Sequence, residues 1–176
     1  MKIFLLGLPG SGKTTLGKEL SKALQWPFVD LDLEIESQAG KKIKEIFSGQ
    51  GEDRFREQES SELKKWCATP TGFIMATGGG TPCFFDNMEW ISRSGKSIFL
   101  DVPVREIVKR MERASRLERP LLGSLPRDEV QGKIERMLIE RIDFYQRATI
   151  TVSGESITAE EIISKLNVRR ESPPSP

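Results

Sequence analysis

The sequence predicts an α/β fold in which a parallel β-sheet is covered by helices on both faces. Short apolar runs alternate along the chain with longer amphipathic segments, the order expected for strands joined by crossover helices. The first apolar run leads directly into a glycine-rich loop that opens a helix. The 176 residues fit one domain of ordinary size and contain no internal repeat.

The individual elements follow from the spacing of the apolar residues. The predicted strands are residues 3–6, 28–29, 73–76, 97–100 and 149–152. The predicted helices run through Leu16, Leu20 and Leu24, begin near Leu33, open at residues 51–59, and span about residues 128–147. Because helical stretches lie between the strands, we expect parallel strands with right-handed crossovers.

Two segments differ from this pattern. Residues 114–127 mix charged residues with glycine and proline between two helical patterns, which favours a mobile flap over a core element. The prolines and polar residues of 167–176 cannot join a helix or bury apolar area. We therefore expect a disordered tail after a domain of residues 1–166.

The charge balance argues against a polyanionic partner. Lys and Arg total 27 against 26 for Asp and Glu, so the overall field is nearly neutral and does not favour nucleic acid. Any recognition of anions must then be local. The apolar run at residues 3–6 is too short for a signal peptide or a membrane span, so we expect a cytoplasmic protein without a membrane partner.

The cysteine and histidine content limits the chemistry that is possible. Only Cys67 and Cys83 are present, without a CxxC spacing, and the chain has no histidine. This composition suggests neither a zinc site nor a disulfide framework, and two reduced, packed thiols are expected. A general base must come from Asp, Glu, Lys, Cys or Tyr, so carboxylates are the first candidates.

A phosphate-binding loop follows the first predicted strand. Residues 7–14 fit the pattern GxxxxGK[ST] and open the first helix, which is the context this motif requires. Backbone N–H groups and the helix N-terminus would hold phosphate, Lys13 would reach the β- and γ-phosphates, and Thr14 would bind magnesium. The predicted nucleotide-binding residues here are Gly10, Ser11, Gly12, Lys13, Thr14 and Thr15. The alternative is a glycine-rich turn without a ligand.

Two carboxylates follow the second predicted strand. In extended backbone, residues two apart point to the same side, so we expect Asp30 and Asp32 to face the ligand crevice at the carboxyl end of the sheet. Asp30 is the candidate on the metal side, and Asp32 is the candidate base. The alternative is that one of them only caps the helix beginning near Leu33.

Two arginines lie where their charge needs a partner. Arg141 falls on the apolar stripe of the predicted helix at 128–147, so it pairs either with a protein carboxylate or with an anionic ligand. Arg56 and Glu59 share one face of another helix. They form a surface ion pair, or Arg56 offers its planar fork to a ligand carboxylate in the crevice.

The third predicted strand ends in Gly78, Gly79 and Gly80. Three glycines are entropically unfavourable unless the backbone must approach something closely, so a ligand hydroxyl or phosphate is one interpretation and an ordinary turn is the other. In the flap, Arg119 is the candidate for stabilising charge on the transferring phosphate. Arg110 belongs to a basic series typical of a solvated helix face, although it could stack on a nucleotide base.

Taken together, these motifs resemble the shikimate kinase family in their order and spacing. The matching segments are residues 7–14, Asp30-Leu31-Asp32, Gly51-Glu52 with Phe55-Arg56 and Glu59, residues 77–80, Arg119-Pro120-Leu121-Leu122, and Glu140-Arg141 through Tyr145. The resemblance covers nearly everything except the tail. It implies a nucleoside-monophosphate-kinase-like sheet of strand order 2-3-1-4-5, a substrate-binding region near residues 32–60, and a lid near 112–125.

The resemblance also implies a reaction and a set of roles. ATP and shikimate would give ADP and shikimate 3-phosphate, a step of aromatic amino-acid and chorismate biosynthesis, in a monomer that uses Mg²⁺. Arg56 and Arg141 would hold the shikimate carboxylate. Asp32 and the backbone of Gly80 would bind ring hydroxyls, and Arg119 would bridge substrate and phosphate. Lys13 and Thr14 would serve the nucleotide phosphates and magnesium, Asp30 would support the metal, and Arg110 would pack on adenine.

Some positions depart from the family pattern, and rival functions exist. Pro9 stands where the family often has methionine, and the tail extends past the usual last helix. The third predicted strand lacks a Walker-B aspartate, but the family likewise has its metal carboxylate after the second strand, which argues against a generic P-loop ATPase. The alternatives are a kinase for another small hydroxy acid such as gluconate, and a nucleotide-binding module without catalysis.

Overall fold

A five-stranded, all-parallel sheet lies at the centre of the protein, as predicted. The structure is a computed structural model that describes residues 1–118 and 127–167. Its strands are Lys2–Leu6 (β1), Phe28–Asp30 (β2), Phe73–Ala76 (β3), Lys96–Asp101 (β4) and Ile150–Ser153 (β5). The order across the sheet is β2-β3-β1-β4-β5, so the carboxyl ends of β1, β2 and β3 meet at one edge. This confirms the predicted fold.

Helices cover both faces of the sheet. They are Lys13–Leu24 (α1), Leu31–Ala39 (α2), Ile43–Ala68 (α3), Asn87–Ser94 (α4), Val104–Glu118 (α5), Arg127–Tyr145 (α6) and Ala159–Leu166 (α7), with a 3₁₀ turn at Thr81–Cys83. α1 and α7 pack on one face through a core that includes Leu20 and Ile162. The other helices pack on the opposite face through a core that includes Phe55 and Tyr145.

The strands are apolar throughout because both of their faces are buried. Along β1, Phe4 and Leu6 belong to one core and Ile3 and Leu5 to the other, since successive side chains of a strand point to opposite faces. All four side chains are fully buried. The central strand therefore connects the two cores, and the loop that follows it starts from a fully buried strand.

α3 contains a kink that divides it into two helical segments. Gly51 has φ 85° and ψ 169°, outside the helical region, between a first segment at 43–50 and a second that begins at Glu52. The helix predicted to open at residues 51–59 is thus present, and the segment before it lies in the helical region near residues 32–60 that the family resemblance implied. Ile46 holds that first segment to the core, with 1% of its surface exposed.

The start of the predicted flap is helical in the structure, and the remainder of the flap and most of the predicted tail lie outside the described residues. α5 continues through Glu118, so the first residues of the segment predicted as a flap at 114–127, and of the lid expected at 112–125, are helical. Residues 119–126 lie outside the described part of the chain. At the other end, α7 ends at Leu166 and Asn167 caps it, and the remainder of the predicted tail, 168–176, is also outside that part. In residues 1–118 and 127–167, no helix combines the length and the apolar character needed to cross a membrane.

Candidate active site

The phosphate-binding loop connects β1 to α1. Gly10 and Gly12 have φ values of 81° and 97°, which side-chain-bearing residues rarely adopt, so the curl of this loop depends on glycine. Lys13 Nζ donates hydrogen bonds to the carbonyl oxygens of Gly7 and Leu8, both at 2.9 Å. Burial lowers the pKa of Lys13 to about 8, although the charges of Asp32 and Asp30 oppose this shift. The ammonium is therefore held beside the loop, where an anionic ligand would stabilise its positive charge.

Asp30 and Thr14 meet at the mouth of this loop. Thr14 Oγ1 donates a hydrogen bond to Asp30 Oδ2 at 2.8 Å, and Asp30 Oδ1 accepts one from the backbone N–H of Leu33 at 3.4 Å. Asp30 is also the N-cap residue of α2. The two interpretations of Asp30 are thus compatible, because one carboxylate oxygen caps the helix while the other faces the loop.

Asp32 reaches the site by a different route from the one predicted. β2 ends at Asp30 and α2 begins at Leu31, so Asp32 lies in the first turn of a helix and the argument from extended backbone is wrong for it. The chain turns into the helix at once because Asp30 caps it. Both carboxylates nevertheless line the same cavity. Burial, reinforced by the charges of Glu59 and Asp30, raises the pKa of Asp32 to about 6, against the opposing charges of Lys13 and Arg56.

The glycine triplet is packed so closely that side chains would not fit. A Cβ atom on Gly78 would lie 2.7 Å from Glu59 Oε1 and 3.0 Å from Asp32 Oδ1. A Cβ on Gly79 would lie 2.8 Å from Pro9 Cδ, and one on Gly80 would lie 2.7 Å from Arg56 Nη2. Each glycine thus lets a different functional group touch the backbone, which an ordinary turn would not require.

Arg56 lies in a pocket of aromatic and acidic side chains. Its Nη1 pairs with Glu59 at 2.7 Å, and its Nη2 pairs with Glu52 at 3.1 Å. The centre of its guanidinium lies 4.2 Å from the ring of Phe84 and 5.1 Å from that of Phe55. Only 9% of Arg56 is exposed and Glu59 is fully buried, so the pair between them is not a surface ion pair.

Glu59 is held in turn by a buried hydroxyl. Thr81 Oγ1 donates a hydrogen bond to Glu59 Oε1 at 2.5 Å, and both side chains are fully buried. Sequence reasoning did not identify Thr81 or Phe84 as part of the site. No spacing rule links either of them to Arg56, because the contacts join the 3₁₀ region after the triplet to α3.

Arg141 approaches the triplet from α6. Its Nη1 would lie 3.3 Å from a Cβ on Gly79. No ion pair joins Arg141 to a carboxylate among residues 1–118 and 127–167. Tyr145 donates a hydrogen bond of 2.6 Å to the carbonyl oxygen of Gly79 and stacks on Phe99. The fully buried Tyr145 therefore ties the helix that carries Arg141 to the triplet.

One cavity of about 710 Å³ joins many of these groups. Its lining includes Gly10, Ser11, Gly12, Lys13, Thr14 and Thr15, together with Asp30, Asp32, Gly79 and Arg110. Arg110 contacts the phosphate-binding loop directly, because its Nη1 donates a hydrogen bond to the carbonyl oxygen of Ser11 at 3.2 Å and its Nε pairs with Glu106 at 3.0 Å. Since Gly79 lines the cavity, the triplet connects it to Arg56 and Arg141. Arg119 lies outside the described residues.

Comparison with known proteins identifies the family. A family model for shikimate kinase matches residues 9–169, nearly the whole chain. The shikimate kinase of Parabacteroides distasonis is 39% identical over 166 residues, which cover 94% of this chain and 95% of that protein. The chain belongs to the shikimate kinase family. It is therefore an ATP-dependent small-molecule kinase, as the motifs predicted.

Solved structures of shikimate kinases agree with the fold. A crystal structure of shikimate kinase from Bacteroides thetaiotaomicron superposes with a TM-score of 0.87 at 35% identity, and covers 96% of this chain and 99% of that one. The shikimate kinase of Acinetobacter baumannii, solved in complex with shikimate, has a TM-score of 0.80 at 31% identity and covers 94% of this chain and 90% of that one. Both sequence and structure thus support membership of the shikimate kinase family.

The close contact at Gly80 leads to a first prediction. A methyl group in Gly80→Ala would lie within 3.0 Å of three guanidinium atoms of Arg56, and the ion pairs and aromatic rings around Arg56 prevent its retreat. We expect the KM for the acceptor to rise roughly tenfold or more, with a loss of about 1–3 kcal/mol in the free energy of unfolding. The KM for ATP should stay within about twofold of wild type. Steady-state kinetics and thermal unfolding measure both quantities.

A matched control lies in α6. A Cβ atom on Gly132 would be 3.8 Å from Arg136, so Gly132→Ala has room and should stabilise the helix by about 0.5–1 kcal/mol without changing either KM. An unchanged acceptor KM in Gly80→Ala would mean that Arg56 is free to move away from the triplet.

Proposed function

We propose that this chain transfers the γ-phosphate of ATP to the 3-hydroxyl of shikimate, giving shikimate 3-phosphate and ADP. The observation that carries this proposal is the meeting of a phosphate-binding loop, a raised-pKa carboxylate and two arginines around one glycine triplet. The loop suits the phosphate donor, the arginines suit an anionic acceptor, and Asp32 lies between them. The complex of the Acinetobacter baumannii relative with shikimate supports the same acceptor.

Recognition of the acceptor would rest on its carboxylate. Arg56 and Arg141 lie against consecutive glycines of the triplet, and Arg141 has no carboxylate partner in the described part of the chain. A planar guanidinium binds a carboxylate through two parallel hydrogen bonds, so two such groups favour an anionic ring acid over a neutral sugar. The backbone of residues 78–80 would contact ring hydroxyls beside the two arginines, because glycine lets these groups lie directly against the main chain.

Asp32 would accept the proton of the attacking hydroxyl. In the step, the hydroxyl oxygen forms a bond to the γ-phosphorus, the bond from that phosphorus to the β–γ bridging oxygen breaks, and the proton passes to Asp32. A pKa of about 6 makes this carboxylate more basic than an ordinary aspartate while it stays ionised at neutral pH. The transition state of phosphoryl transfer is loose, so orientation of the hydroxyl by Asp32 contributes together with proton transfer.

The nucleotide would be bound by the loop and by Arg110. Residues 10–15 present backbone N–H groups at the N-terminus of α1, and Lys13 supplies a positive charge beside them. Negative charge on the β- and γ-phosphates would stabilise the buried ammonium of Lys13, whose pKa is lowered by burial. Arg110 lies at the loop and would pack on the adenine. Arg119, outside the described residues, would bridge acceptor and phosphate from a lid near residues 112–125.

The same site fits Mg²⁺. Thr14 supplies a hydroxyl and Asp30 a carboxylate, 2.8 Å apart, and these hard oxygen donors suit this ion. Mg²⁺ at phosphate sites usually takes only one or two protein groups and fills the remaining positions with water and phosphate oxygens. When bound, it would neutralise charge on the β- and γ-phosphates. Thr14 would contact the ion, and Asp30 would orient the water molecules bound to it.

We place this reaction in the cytoplasm and assign it to a monomer of residues 1–166 followed by a tail. Cys67 and Cys83 are both free, which is usual for cytoplasmic proteins, where thiols stay reduced. The near-neutral charge argues against nucleic acid as a partner.

Acceptor-dependent release of ADP tests the proposal directly. The enzyme is incubated with ATP and Mg²⁺ and with shikimate, with gluconate or with no acceptor, and ADP is measured by a coupled assay. We expect release only with shikimate, because gluconate lacks the rigid ring whose hydroxyls the triplet and Asp32 would contact. Release with gluconate alone would show that shikimate is the wrong acceptor. If the protein binds nucleotide but no acceptor increases ADP release, it is a nucleotide-binding module without catalysis.

The role of Asp32 gives a further prediction. Asp32→Asn keeps the shape of the side chain but cannot accept a proton, so we expect kcat to fall roughly 100-fold or more. Nucleotide affinity should change little, which fluorescence titration can measure. Asp53→Asn, an exposed aspartate in α3, serves as the control and should leave kcat unchanged. A comparable kcat for Asp32→Asn and wild type would exclude Asp32 as the base.

Arg141→Met separates binding from folding. Methionine fits the apolar stripe of α6 and removes a charge that has no carboxylate partner in the described residues, so the free energy of unfolding should stay the same or rise. Loss of a charge-assisted hydrogen bond to the acceptor carboxylate, about 1.5–3 kcal/mol, should raise the shikimate KM roughly tenfold or more. Arg136→Met, exposed on the same helix, is the control. Marked destabilisation with an unchanged KM would make Arg141 a structural residue.

A further inference from the structure

Arg56 forms ion pairs with two carboxylates, on different edges of its guanidinium. Glu59 Oε2 binds Nη1 at 2.7 Å. Glu52 Oε1 binds the opposite side, at 3.3 Å from Nε and 3.1 Å from Nη2. Both acids are on α3, three residues after and four residues before Arg56, so the helix itself brings them to the same group.

The two contacts differ in strength. A charge-assisted N–H···O bond is typically about 2.7–2.9 Å long, a range that the Glu59 contact meets and the Glu52 contacts exceed. The side chain of Glu59 is fully buried, whereas 55% of the Glu52 side chain is exposed. A single oxygen of Glu52 also serves two donors. Glu59 is therefore the buried and closer partner of Arg56, and Glu52 is the more exposed and more distant one.

Glu52 occupies the side of Arg56 that a ligand carboxylate needs. The Nε and Nη2 donors lie side by side and match the two oxygens of a carboxylate. Glu59 already takes Nη1, and the aromatic rings of Phe84 and Phe55 lie close to the guanidinium. Once Glu52 leaves, the Nε and Nη2 edge would offer two parallel hydrogen bonds to an incoming carboxylate.

We propose that Glu52 stands in for the acceptor carboxylate on Arg56 in the substrate-free enzyme and leaves that edge when shikimate binds. This inference rests on the proposed binding of shikimate by Arg56. The exchange keeps a largely buried guanidinium compensated on both sides at all times, since a charge left without a partner would be strongly destabilising. Glu52 thereby sets the KM for shikimate, because each binding event must first displace it.

A positioning role for Glu52 predicts the opposite change in the shikimate KM when Glu52 is removed. If Glu52 positioned Arg56 for the substrate, as a buried partner would, its removal would raise the shikimate KM. If it competes with the substrate, its removal lowers the KM. Long-range repulsion of an anionic substrate by Glu52 would also lower the KM on removal of its charge, so the experiment must separate occupancy of the edge from charge alone.

Three variants make this separation. Glu52→Gln removes the charge, and Glu52→Asp keeps the charge on a side chain about one methylene shorter, which cannot reach Nε and Nη2. Glu57→Gln removes an equally exposed charge on the same helix, where Glu57 pairs with Arg54 at 2.6 Å. We expect both Glu52 variants to lower the shikimate KM roughly two- to fivefold, the range for a partly exposed ion pair. Glu57→Gln should match wild type, and no variant should change the KM for ATP.

Inhibition by a ring monocarboxylate without hydroxyls adds a readout that a purely structural role would not change. Cyclohexanecarboxylate should compete with shikimate, and its inhibition constant should fall in both Glu52 variants by a factor similar to that of the KM. A raised or unchanged shikimate KM in Glu52→Gln would overturn the inference. So would a Glu52→Asp variant that behaves as wild type, because charge alone would then explain the effect.

Arg56→Lys distinguishes failure of this inference from failure of the proposed function. Lysine cannot form the two parallel hydrogen bonds, so the shikimate KM should rise in this variant. If it does not rise, the proposed carboxylate site on Arg56 is wrong, and the role of Glu52 fails with it. If it rises while Glu52→Gln does not lower the KM, the carboxylate site stands and only the exchange is overturned.

Discussion

The close approach of functional side chains to the backbone of residues 78–80 is the constraint on which the site depends. Glu59 and Asp32 lie against Gly78, Pro9 and Arg141 against Gly79, and the guanidinium of Arg56 against Gly80. A single methyl group at any of these glycines would fall within 3.0 Å of a neighbouring atom. Arg56, Arg141, Asp32 and the phosphate-binding loop can therefore lie close together only because the strand ends without side chains.

Burial of this volume determines the electrostatics. Desolvation is the largest cause of the raised pKa of Asp32 and of the lowered pKa of Lys13, so the same low-polarity surroundings make the acid more basic and the ammonium less stable. Each of the two groups partly offsets the shift of the other. The phosphate and carboxylate charges of bound substrates would complete this balance. A binding site differs in this respect from a structural ion-pair network, in which protein groups alone match all the charges.

The sequence predicted most of the architecture but only part of the site's geometry. All five strands and the phosphate-binding loop follow from apolar runs and a local motif, which depend on neighbours in the chain. The extended geometry expected for Asp32 was wrong because Asp30 caps a helix that starts at once. Thr81, Phe84 and the tie from Tyr145 to Gly79 were missed as site contacts, since they join segments far apart in the chain.

By itself, the sequence determined the fold class, the phosphate-binding loop and the residue types available for chemistry, because periodicity and short motifs are local properties. Only the tertiary structure decided which face of α3 is buried, that Arg56 lies between two acids, and that Arg141 has no carboxylate partner within the described residues. A sequence can show that an arginine is present near an acid. Whether that acid is a buried anchor or an exchangeable partner depends on solvent exposure and on distances of a few tenths of an ångström, which arise only when the helix packs on the sheet.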